Sequence, residues 1–215
     1  MSLLIISIAP VFIIAFYIYF RDKYEKEPWQ LLSKAIISGA LISIPIIVIE
    51  LLLSHFKIIF KGLTLAFYEA FIIAALTEES FKYFIFRILI WRNKEFDEKF
   101  DGIVYAVFIS LGFALIENIM YVTGMGLSTG FIRVVTAVPG HALFGVVMGY
   151  HFSIARFYPG KRRNQLILAL LHPIALHGLY DFLLMSKHPV GLIIFIPYLI
   201  YLWRYGFKKM KEVSL

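Results

Sequence analysis

An all-α, polytopic transmembrane bundle of about seven spans is the fold this sequence predicts, with the N-terminus outside and the C-terminus cytoplasmic. Of 215 residues, 60% are hydrophobic and only 16% charged, where a water-soluble domain carries about a quarter charged. Apolar runs of roughly 20 residues, enough to cross a hydrocarbon core of about 30 Å, recur from end to end. Lys and Arg are also partitioned unevenly between alternate loops, as the positive-inside rule requires.

Taken in order, the spans are expected at 2–20, 31–53, 64–91, 102–123, 130–156, 164–186 and 189–207. The first lacks a basic leader and an AxA-like cleavage site and runs straight into RDKYEK, so it is read as a retained helix rather than a signal peptide. Loops after spans one, three and five, together with the tail and the bordering span ends at Arg156 and Arg204, hold 14 Lys and Arg residues. The other loops hold only Lys57, Lys61 and Lys187. No linker, repeat or low-complexity tract divides the chain, which is read as a single membrane domain over 1–215.

The net charge of +7 follows from this topology rather than from a nucleic-acid face, because the basic residues sit in short loops. There are no cysteines, which excludes a disulfide framework and a thiol nucleophile. The expected environment is a lipid bilayer, with no nucleic-acid partner.

Function must then come from polar groups at membrane depth, where a charge costs roughly 3 kcal/mol or more. In span three, TEESFKYF places Glu78 and Lys82 on one helical face, a favourable i,i+4 pair, and leaves Glu79 without a partner. Span four carries FALIENIMY, in which Phe113, Glu117 and Tyr121 form a stripe with Asn118 beside it. Span five carries VPGHALFGVVMG, where Pro139 and Gly140 should loosen the helix just before His141, while Gly145 and Gly149 read as a small-residue packing face. Span six carries HPIALHGLYD, with His177 and Asp181 one turn apart and Pro173 one turn before, so that Asp181 would orient the imidazole. Glu50, His55 and Glu69 read as interfacial groups, and Arg87 and Arg133 as side chains that snorkel. His172 faces away from the His177 stripe.

If these helices converge, the carboxylates outnumber Lys82 in a low-dielectric cavity that opens toward the outer side. His141, His177 and Glu117 around an open coordination position would suit zinc hydrolysis, with a spare glutamate as base. Without metal, a glutamate could activate water directly while histidine stabilises the oxyanion. Both routes hydrolyse an amide, and both stay open on the sequence. HExxH, GxSG and GxGD are absent. A proton- or ion-coupled transporter and a non-catalytic membrane sensor are the competing classes.

Four stretches in order, EESFK at 78–82, FALIEN at 113–118, GHALFG at 140–145 and HGLYD at 177–181, resemble the PrsW family of intramembrane proteases. FDGIVY at 100–105 and the EP at 27–28 add to the likeness, which covers nearly the whole chain. The family is in turn similar to the CAAX prenyl endopeptidases. The resemblance implies a bacterial cell-membrane protease that makes the first, outer-side cut in a single-span anti-sigma factor during envelope stress. It implies catalytic roles for Glu78, Glu79, Glu117, His141 and His177, with Lys82, Asn118 and Asp181 in support. In the CAAX relatives a histidine stands where Glu117 stands here, so their mechanism does not transfer whole.

Overall fold

The computed structural model describes residues 2–23 and 25–214, and among these residues every regular element is helical. The helices are α1 (Ser2–Arg21), α2 (Trp29–Leu41), α3 (Ser43–Ser54), α4 (Gly62–Phe67), α5 (Thr77–Leu89), α6 (Asp101–Met125), α7 (Leu127–Val135), α8 (Ala137–Phe157), α9 (Arg162–Met185) and α10 (Pro189–Val213). Between α4 and α5 the chain continues as a π-helix over Tyr68–Leu76.

Six helical stretches are long and apolar enough to span a bilayer: Leu3–Arg21, Trp29–Ile59, Asp101–Met125, Leu127–Phe157, Pro159–Met185 and Pro189–Val213. They correspond to all the expected spans but the third. That one is a continuous helical run from Gly62 to Leu89, and its charges at Glu78, Glu79, Lys82 and Arg87 set it apart from an ordinary apolar span. The outer faces carry apolar side chains such as Ile13, Phe20, Ile88 and Ile193, each at least two-thirds exposed, as lipid contact requires.

Two expected spans are broken where proline chemistry demands it. A proline cannot donate to the carbonyl four residues earlier. Pro45 therefore leaves the Leu41 carbonyl unserved, and α2 ends at Leu41. Pro139 does the same to Val135, where α7 ends. The interruption expected directly before His141 thus lies at Thr136, and Pro139 itself sits in the first turn of α8, where a missing N–H costs nothing. No matching break occurs in the sixth span, since α9 runs unbroken through Pro173.

Helix α6 is the axis of the bundle, packed along α8, α2 and α1 and buried continuously from Asp101 to Ala114. Close approach depends on glycine. A Cβ at Gly145 would lie 2.8 Å from Ser110 Oγ and 3.0 Å from the Ala106 carbonyl, and one at Gly149 would collide with the Gly102 backbone. The Gly145 and Gly149 face predicted from sequence is therefore the α8 side of the α6–α8 seam. On the opposite flank of α6, Gly112 meets Ile36 and Gly39 meets Ile109 in the same manner.

Because nothing rigid stands aside at this seam, Gly149→Val should lower stability by about 1–3 kcal/mol through overpacking. Gly160→Val, at a position with open space around it, should change stability by less than about 0.5 kcal/mol. Thermal unfolding of both variants in detergent, followed by circular dichroism, checks the contrast.

Candidate active site

The site is assembled by α5, α6, α8 and α9 around one ammonium group. Glu78, Glu79 and Lys82 lie in the first turns of α5, immediately after the π-helix, a wide-turn segment often found beside functional positions. Lys82 Nζ donates to Glu79 Oε1 at 2.7 Å and to Glu78 Oε2 at 3.2 Å, and lies 3.3 Å from His141 Nδ1. It also sits 4.5 Å from the centre of the Phe113 ring, a cation–π contact. Lys82 and Glu79 are fully buried and Glu78 nearly so.

Glu79, expected to lack a partner, is the most tightly held of these acids. Besides Lys82, its Oε1 lies 2.9 Å from His177 Nδ1. The other ring nitrogen of His177 is 3.2 Å from Asp181 Oδ2, so α9 does place Asp181 against the imidazole. A neutral imidazole carries one N–H and can serve only one of two carboxylates, so making both contacts as hydrogen bonds requires a second proton in the cluster. The His177 ring is stacked on Phe144, with centroids 4.7 Å apart.

His141 is held from both sides as well. Its Nε2 is 2.7 Å from Glu117 Oε2, which leaves the Nδ1 lone pair to accept from Lys82. Glu117 also receives Arg133 Nη2 at 2.8 Å, and Arg133 Nε donates to Asn118 Oδ1 at 2.9 Å while the guanidinium lies over the Tyr121 ring. Asn118 ties α6 to α1 through the Ser7 carbonyl, at 2.9 Å.

Above this cluster lies a cavity of about 740 Å³, lined at its base by Glu78, Glu117, His141, His177 and Asp181. Toward its mouth it is walled by apolar groups, among them Ile47, Ile73, Met120, Met125, Ile132 and Met185. The mouth lies at the end of the bundle that carries the lysine-poor loops, where Lys57 pairs with Glu69 at 2.7 Å. Glu79 does not line the cavity, being closed off behind Lys82 and His177.

Some members escaped sequence reasoning. Arg133 does not snorkel to an interface but closes the circuit between Glu117 and Asn118. Glu50 and Glu69 are part of the cavity wall rather than unconnected interfacial groups. A usable signal existed for Arg133, since the carboxylates expected at this depth outnumbered the cations and an arginine lay inside a predicted span. For Glu50 no sequence signal pointed inward.

A carboxylate and imidazole cluster walled into a membrane bundle, beneath a cavity of about 740 Å³, supplies the groups that a membrane-embedded hydrolase needs. The family described as PrsW family intramembrane metalloprotease matches residues 27–202, and the chain belongs to that family. It is 39% identical to the "Protease PrsW" of Oceanobacillus iheyensis over the whole of this chain and 97% of the relative. It is 38% identical to that of Clostridioides difficile, covering 99% of this chain and 91% of the relative. The Bacillus subtilis protein of the same name is 36% identical over 96% of this chain and 93% of its own length. No solved structure matches significantly. The protein is thus a peptidase and a multi-pass protein of the cell membrane, acting on a membrane-embedded substrate. The transporter and sensor readings give way to this assignment.

The family description implies a metal. Glu78, Glu79, His141 and His177 each offer a donor atom, all within 4.8 Å of one another, and Glu79 Oε2 is a buried oxygen without a hydrogen-bond partner among the described residues. Two imidazoles and two carboxylates fit the donor preference of zinc. Glu117, expected beside the histidines, stands outside this group, on the far ring nitrogen of His141.

Removing one partner of a buried pair leaves an uncompensated charge. Arg133→Met should therefore destabilise the protein by about 3 kcal/mol, and adding Glu117→Gln should recover most of that loss. Thermal unfolding of the two single variants and the double variant measures the coupling.

Proposed function

We propose that this protein makes the first, extracytoplasmic-side cut in a single-span anti-sigma factor, using water activated by Glu78. The observation that carries this reading is the position of Glu78, whose carboxylate sits at the base of the cavity while Glu79 is sealed behind it. A base must reach the water it activates. Glu79 instead holds Lys82 and His177 in place. The apolar walls suit an unwound stretch of a transmembrane segment, and the buried polar floor suits its scissile peptide.

In the reaction, Glu78 takes a proton from water as the oxygen attacks the peptide carbonyl carbon. The oxyanion that forms is stabilised by the His141 or His177 side, where Lys82 supplies fixed positive charge. When the C–N bond breaks, Glu78 returns the proton to the departing amine. A zinc ion held by His141 and His177, the two imidazoles that line the cavity, would supply Lewis-acid polarisation of the carbonyl and a more acidic water. By the positive-inside rule the loop charges favour a cavity mouth outside the cytoplasm, which supports an outer-side cut.

The test is cleavage of a tagged single-span anti-sigma factor co-expressed with wild type, Glu78→Gln or Glu79→Gln, with membrane levels matched. Glu78→Gln should reduce cleavage by a factor of about 10² to 10⁴ with normal thermal stability, the size expected for losing a general base. Glu79→Gln should lose cleavage and stability together, because it releases Lys82 and His177. Equal cleavage by all three would reject the base assignment.

Topology is checked separately, aided by the absence of native cysteines. Met125→Cys and Met185→Cys, both at the mouth, should react with an impermeant thiol reagent added to intact cells, and Ser153→Cys should not.

A further inference from the structure

At the opposite end of the bundle from the cavity mouth lies a second acidic cluster that the proposed chemistry does not use. Asp22 follows α1, Glu27 precedes α2 and Asp101 opens α6, and one carboxylate oxygen from each lies within 4.8 Å of the others. The residues are 1%, 6% and 1% exposed, so the carboxylates are withdrawn from water. The EP and FDGIVY stretches, separate in sequence, meet here through Glu27, Asp101 and Tyr105, whose hydroxyl donates to Glu27 Oε2.

Around the cavity, buried carboxylates are compensated by Lys82 and Arg133; here no Lys or Arg nitrogen among the described residues is within ion-pair distance of the three acids. Lys26 spends its ammonium on the backbone carbonyls of Tyr19 and Asp22. Both carboxylate oxygens of Asp22 and Oδ1 of Asp101 are buried without a hydrogen-bond partner among the described residues. Asp101 Oδ2, by contrast, accepts the N–H groups of Asp97 at 3.0 Å and Glu98 at 2.6 Å, which fixes the carboxylate and leaves Oδ1 free.

We propose that Asp22, Glu27 and Asp101 form a binding site for a hard divalent cation, of the magnesium or calcium class, which fastens Asp22 after α1 and Glu27 before α2 to the start of α6. The donors are all oxygen, which favours such ions over zinc. Two of the acids lie between α1 and α2 and the third opens the central helix, so one divalent ion would cancel two of the three negative charges and tie α1 and α2 to α6 together.

The experiment uses the full chain purified in detergent, with Mn²⁺ as an electron paramagnetic resonance probe and Mg²⁺ as competitor. Wild type should bind one equivalent of Mn²⁺ that Mg²⁺ displaces. That equivalent should persist in His141→Gln, where the membrane cavity is altered, and disappear in Asp22→Asn and in Glu27→Gln. Thermal stability of wild type should rise with Mg²⁺ and fall with EDTA, following linkage between binding and folding. Absence of Mg²⁺-competed Mn²⁺ binding in wild type would overturn the proposal, whatever the variants do. So would retention of the equivalent in Asp22→Asn, or its loss in His141→Gln. Should Asp22→Asn fail to fold, Glu27→Gln and the wild-type response to EDTA decide the question, and neither depends on protease activity.

Discussion

An ammonium group inside a membrane bundle is the constraint on which the rest of this structure depends. Lys82 is entirely buried and contacts both members of the Glu78 and Glu79 pair, together with the His141 ring. Without it, adjacent carboxylates at that depth would face a desolvation cost of several kcal/mol each. With it, Glu79 becomes a fixed anion that orients His177, and His141 is left with its Nε2 directed at Glu117. The cluster is therefore a chain of charge-assisted contacts running from α5 outward, and each helix that supplies a member is held in register by it. Arg133 ends the chain on the side away from Lys82, in contact with Glu117 and Asn118.

Such a cluster needs a rigid frame, because hydrogen-bond geometry is lost with shifts well under an ångström. The frame is the α6–α8 seam, where glycines allow backbones to touch and Ser153 and Ser110 fill the remaining space. In lipid there is no hydrophobic drive to press helices together, so close backbone packing has to supply the attraction. The same seam positions His141 and Glu117, one from each helix, on the cavity side. The breaks at Ile42 and Thr136 interrupt helices that wall the cavity, and both follow from prolines that leave a carbonyl unserved.

The acid cluster at the other end of α6 is the inverse electrostatic case. Its carboxylates are as buried as those near the cavity but, among the described residues, have no side-chain cation within ion-pair distance. The contrast shows that burial alone does not define an active site; what differs is the cavity and the imidazoles that the first cluster has and the second lacks.

Much of this protein could be read in its sequence, because hydrophobic length, loop charge and helical spacing are local properties. The helical class, the spans and the Glu78–Lys82 pairing come directly from them, and so does the small-residue face at Gly145 and Gly149. The π-helix before Thr77 was not legible, since it depends on how α9 packs against that segment rather than on residue preferences. Nor was the partner of Glu79, which is 98 residues away in α9, or the inward turn of Arg133, which reaches Glu117 from a separate short helix. The approach of Asp101 to Asp22 and Glu27 was likewise invisible. Pairings of this kind are decided by which helix faces lie opposite one another, and that is a property of the packed bundle alone.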